Sequence, residues 1–139
     1  MDNIFSLFSS SEDAGGVDDQ AYVNFKDSPQ YFIGMYKKLI LNNLNFNKKI
    51  VKFFKESNSE LDADEMSEAG EWVTYNRAWH YIQKIDLGNE DHISSLKKHT
   101  DEYFETTIKL GINFFEEQEQ YERCALLKKI EDICEHFKK

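Results

Sequence analysis

The stretch SPQYFIGMYKKLILNN, residues 28–43, decides the fold. Ser28 carries a helix-capping hydroxyl, and Pro29 suits the first helical position, where no backbone N–H is needed. Phe32, Met35, Tyr36, Leu39 and Ile40 then recur at i, i+3, i+4, i+7 and i+8, one apolar stripe of an α-helix. Asn42 and Asn43 are expected to end or bend this helix. Phe46, Ile50, Phe53 and Phe54 resume the pattern in a second helix to about Lys55.

The same period continues downstream. Asp62 or Asp64 caps a third helix, whose early acids suit the positive end of its dipole. Trp72, Tyr75, Trp79, Ile82 and Ile85 form its stripe, with Trp79 expected to be largely buried, and Leu87-Gly88 is the expected stop. A fourth helix is expected from about Asp91 to Glu117. It is apolar on two sides, which suits a central position in a bundle. Gly111 inside it is read as a close approach to a neighbouring helix. A fifth helix from Tyr121 to Phe137 buries Leu126, Ile130, Ile133 and Phe137. Nothing alternates with period two, and no repeat is visible. The expected fold is all-α, a small bundle of about five helices. Residues 1–20 are expected to form a flexible acidic arm with an apolar tip, and residues 21–139 a single helical domain.

Composition bounds the function. The 139 residues carry 17 basic and 26 acidic side chains, a net charge of −9, with 40 % hydrophobic content. That is enough apolar surface for a core. No run of about 18 apolar residues exists, so no membrane span is expected. The acidic N-terminus lacks the basic start of a signal peptide. Charge falls in blocks. Residues 31–55 hold six lysines and no acid, whereas residues 56–72 hold seven acids and no base. Overall acidity argues against direct nucleic-acid binding and favours a protein partner with a basic or grooved apolar surface.

Cys124 and Cys134 lie ten residues apart in one expected helix, about 15 Å along its axis, too far to pair within it. Free thiols imply a reducing compartment, so a cytoplasmic location is expected. Fifteen Lys against two Arg, with ten Asn, fits an AT-rich genome such as a phage or a bacterium of that kind.

No catalytic pattern emerges. His80, His92, His99 and His136 lack the spacing of a metal-binding helix, neither cysteine belongs to a Cys-x-x-Cys pair, and the acids at 62–68 do not match a calcium loop. There is no nucleophile elbow and no phosphate-cradling glycine loop. The sequence therefore predicts neither enzyme, nor cofactor, nor metal. It points to a non-enzymatic interaction module, an adaptor or inhibitor. The alternative is an acidic mimic of nucleic acid that blocks a DNA- or RNA-processing enzyme.

Two stretches are candidate partner-binding sites. Ile4, Phe5, Leu7 and Phe8 form an apolar tip ahead of the linker SSSEDAGGVDDQ. IFSLF resembles the peptide by which bacterial replication proteins dock on the sliding clamp: Leu7-Phe8 match its ending, while Phe5 replaces the usual Leu and the leading Gln is absent. FFEEQEQYERCALLKKIEDI, through Tyr121, Glu122, Ala125, Leu127 and Lys128, resembles a UVR-type helical hairpin. It departs from that pattern at Lys129, which stands where an acid is usual, and at Ile130, one place early. The resemblance implies a protein–protein module, with Tyr121, Glu122 and Lys128 as contact residues.

Overall fold

The computed structural model describes residues 24–57 and 63–136. The tip residues Ile4, Phe5, Leu7 and Phe8 lie outside the described residues, as do the linker, Asp62 and Phe137. The described residues fold as an all-α bundle of five principal helices, with no strand among them. These are α1 (Pro29–Ser57), α2 (Ala63–Ile82), α3 (Glu90–His99), α4 (Glu102–Glu117) and α5 (Tyr121–His136).

Ser28 begins α1 as expected, its Oγ accepting from the Tyr31 N–H. The helix then runs unbroken for 29 residues, about 44 Å. Asn42 and Asn43 do not stop it. The Asn47 amide donates to Asn43 Oδ1 at 3.3 Å and to Glu71 Oε1 of α2 at 3.2 Å, so the asparagines serve as polar contacts along the α1–α2 pair.

The third expected helix ends five residues earlier than read, at Ile82. Lys84 and Ile85 make i→i−3 bonds that tighten the last turn. This turn drops Ile85 into the core, where it is 4 % exposed. Gly88 is not the helix stop. Its N–H donates to Asp86 Oδ1, while the Asp86 N–H donates to His92 Nδ1. Asn89 then caps α3, accepting from the Asp91 and His92 N–H groups.

The fourth expected helix is two helices. Thr100 ends α3 with its hydroxyl donating to the Leu96 carbonyl, and Asp101 caps α4 by accepting from the Phe104 N–H at 2.7 Å. Apolar periodicity runs through this joint, which hides it; the Thr-Asp pair is the local signal that breaks the chain. A second turn follows α4. The Gln120 N–H reaches the Phe115 carbonyl and the Glu119 N–H reaches that of Glu116, with Glu119 in the left-handed region at φ 57°. This is a Schellman closure, and it folds α5 back against α4.

α4 is the centre of the core, burying Phe104, Thr107, Ile108, Gly111, Ile112, Phe114 and Phe115. Around it stand Phe32, Ile33, Tyr36 and Ile40 of α1, Tyr75, Ala78 and Ile82 of α2, and Leu96 of α3. The buried face of α5 is Cys124, Leu127, Ile130 and Cys134, so the expected face was rotated; Leu126 and Ile133 are only partly covered. Tyr36, fully buried, donates from its hydroxyl to the Thr107 carbonyl at 2.6 Å. Gly111 allows that approach. A Cβ there would collide with the Tyr36 hydroxyl and crowd Leu127, as the sequence suggested.

Candidate functional site

Among the described residues the core gathers at one end of the α1–α2 hairpin. No residue of α1 beyond Ile40 is buried, and none of α2 before Tyr75 among those described. The outer half of the α1–α2 hairpin carries Phe46, Phe53, Met66, Trp72 and Val73, five of the eight large hydrophobics exposed among the described residues. Unpartnered apolar side chains gathered in one region mark a surface made for contact. Trp72, read as part of the buried stripe, is 54 % exposed. Trp79, expected to be largely buried, is packed against the core with part of its surface open, edge-on to Phe115 at 5.8 Å and under the Arg123 guanidinium at 5.1 Å.

Where α2 meets the end of α4 there is a cleft of about 670 Å³. Glu65, Glu68, Glu71 and Trp72 line it from α2, and Phe114 and Glu117 line it from α4. The i, i+3, i+4, i+7 register brings Glu65, Glu68 and Trp72 to one flank of α2. Phe114 is held by a stacked contact with Tyr75, ring centroids 4.4 Å apart and planes within 10°. The cleft is thus an aromatic floor edged by carboxylates from two helices.

Its electrostatics follow from that crowding. Glu71 is pushed above the usual carboxylate range, first by partial burial, then by the charges of Glu117 and Glu68; its hydrogen bond from Asn47 only partly offsets them. Tyr75 beneath it is pushed up to about 12 by burial and by the Glu71 charge. A cation entering the cleft would relieve both effects. No group of three or more His, Cys, Asp or Glu among the described residues is arranged to hold a metal ion. The carboxylates therefore form a diffuse negative edge and not a coordination shell.

The other sequence candidates are dispersed. Tyr121 and Glu122 are exposed at the start of α5, three and four residues beyond the cleft residue Gln118. Lys128 is exposed two turns further on and bridges Glu116 at 3.3 Å. Both cysteines are buried free thiols, and burial pushes each thiol upward, away from the reactive thiolate. No helix among the described residues is long and apolar enough to cross a membrane.

Sequence reasoning saw acids at 56–72 and an aromatic stripe on the third helix, but not that Glu117 and Phe114 complete a cleft with them. The signal was present in the Glu65, Glu68, Trp72 spacing; the fourth wall depends on how α4 packs. Comparison of the chain with protein-family models, with curated proteins and with solved structures finds no match.

Proposed function

We propose that the protein is a non-enzymatic protein-binding module, an adaptor or inhibitor, whose acidic aromatic cleft takes up a basic segment of a partner. One observation carries this reading: four glutamates from two helices edge a cleft lined by exposed Trp72 and by Phe114, and Glu71 is lifted first by burial and then by its like-charged neighbours. A partner lysine or arginine placed there gains charge-assisted hydrogen bonds and lies over Trp72 or Phe114. In this proposal the apolar tip Ile4, Phe5, Leu7 and Phe8 supplies a second contact on the same partner, and Tyr121, Glu122 and Lys128 a rim. The buried free thiols support a reducing, cytoplasmic setting. Nucleic-acid mimicry has less support, because exposed Lys48, Lys49, Lys52 and Lys55 interrupt the acidic surface on the same hairpin.

The test uses the full chain and a synthetic peptide of alternating Lys/Arg and Leu, against the same peptide with Glu in place of the basic residues. Calorimetry should detect the first and not the second. Glu68→Gln combined with Glu117→Gln should weaken binding at least about tenfold, and Trp72→Ala about fivefold. Unchanged affinity in these variants, or no binding of the basic peptide, rejects the cleft as the site.

A further inference from the structure

A different face of the hairpin carries a second, independent feature. On α1, Leu39, Phe46 and Phe53 stand seven residues apart, in one row along the helix. On α2, Met66 and Val73 have the same spacing, with Gly70 between them. Leu39 and Phe46 of the first row, with Gly70 and Val73 on α2, line an apolar groove of about 540 Å³ on the side of α2 away from the acidic cleft, and Phe53 and Met66 extend the rows beyond it. Phe46 and Phe53 are 58 % and 62 % exposed. Two helices cannot enclose such rows by themselves; four can.

We propose that this face pairs with the same face of a second copy of the chain, forming a four-helix bundle about a twofold axis parallel to the hairpin. Charge selects the occupant and the arrangement. Of the charges on the outer hairpin, Lys49 of α1 and Glu65 of α2 border the apolar rows, whereas Lys48, Lys52 and Lys55 turn away from them and Glu68 and Glu71 line the acidic cleft. Helical register puts Lys49 beside the α1 row and Glu65 beside the α2 row, each on the edge away from the other helix. A second copy turned about the parallel axis lays its α2 over α1, antiparallel, so Lys49 of each copy faces Glu65 of the other along the two sides of the isologous contact. Turned about the perpendicular axis, α1 would meet α1 and lysines would face lysines.

The size is sufficient for a reversible dimer. The outer hairpin is about 25 Å long and two helices, about 20 Å, wide. Pairing would cover about 500 Å² of footprint on each copy, at the lower end of specific interfaces.

Sedimentation equilibrium of the full chain from about 5 to about 500 µM tests this directly. A monomer–dimer equilibrium is expected, strengthened at low salt. Phe46→Glu with Phe53→Glu should leave a monomer throughout, with an unchanged far-ultraviolet circular dichroism spectrum, since neither ring is in the core. Lys49→Glu should weaken pairing at least about tenfold, and mixing it with Glu65→Lys should restore a heterodimer. A monomer at all concentrations overturns the proposal, as does a dimer indifferent to the Phe46 and Phe53 changes. Dimerisation that needs removal of residues 1–9 also overturns it, in favour of the chain's own apolar tip as occupant. The Phe46, Phe53 and Lys49 changes touch no residue of the cleft, so their outcome is separable from that of the cleft test, which replaces Glu68, Glu117 and Trp72.

Discussion

The two ends of the α1–α2 hairpin are built from similar residues and differ in what they touch. At the inner end, Phe32, Tyr36, Tyr75 and Ile82 meet α4 and are buried. At the outer end, Phe46, Phe53, Met66 and Trp72 have the same helical spacing and stay exposed among the described residues, Trp72 at the cleft that the end of α4 closes. Periodicity alone does not distinguish them, because it reports that a face wants a partner and not whether the chain supplies one. The inner end is the structural half; the outer end is the half left to binding.

Paired truncations should give the largest contrast. Phe104→Ala, fully buried in α4, should lose about 3–5 kcal/mol of unfolding free energy in urea. Phe53→Ala, in dilute solution, should lose less than about 0.5 kcal/mol. A large loss at Phe53 would mean that the outer end is part of the fold. Gly111→Ala tests the inner end from the other direction. Its methyl would displace the Tyr36 hydroxyl from Thr107, and overpacking of that kind costs about 1–3 kcal/mol. A stability gain, as expected for Ala in an exposed helix, would refute the close approach.

Asp101 sharpens the comparison with pH. Partial burial pushes its carboxyl up, but the Lys37 hydrogen bond and ion pair at 2.8 Å and the Phe104 and Tyr103 N–H groups outweigh this and hold it low. A carboxylate lowered in the folded state stabilises fully above its unfolded value, about 3.9, and loses that contribution as pH falls through the folded value. Asp101→Ala should therefore cost about 1 kcal/mol at neutral pH as a lost helix cap, and the gap to the parent should narrow in acid. Glu71 has the opposite sign. Its raised carboxyl costs stability at neutral pH, and the cost disappears as pH falls through its folded value toward the unfolded one, so Glu71→Gln should stabilise slightly at pH 7 and not in acid. A small gain is expected at Glu119, where φ 57° strains an L side chain. Glu119→Gly should raise stability by about 0.5–1 kcal/mol, read as a small rise in melting temperature.

The all-α class was legible because the 3.6-residue period is strong and local. Ser28 and Gly111 were also read correctly, since a cap and a missing side chain act within a few ångströms. The joint at Thr100-Asp101 was missed because apolar spacing carries through it, while the break rests on two side-chain hydrogen bonds. The rotation of α5 was missed because Cys124 and Cys134 were weighed for disulfide pairing and not used to set the buried face. Half of the cleft was visible in the order of Glu65, Glu68 and Trp72. Its other wall, Phe114 and Glu117, is 42 or more residues away and is brought there only by the packing of α4 against α2.

Hydrogen exchange read by mass spectrometry on the full chain, with and without the basic peptide, tests the division most directly. In dilute protein alone, amides of residues 42–57 and 63–74 should exchange faster than those of α4 and α5, because their helices lack a buried face. Adding the peptide should slow exchange most in residues 63–74 and at the end of α4 around Glu117, and leave the last turns of α5, residues 129–136, unchanged. Uniform protection along both ends of the hairpin, or slowing confined to α5, would contradict the assignment of the outer hairpin as the binding half.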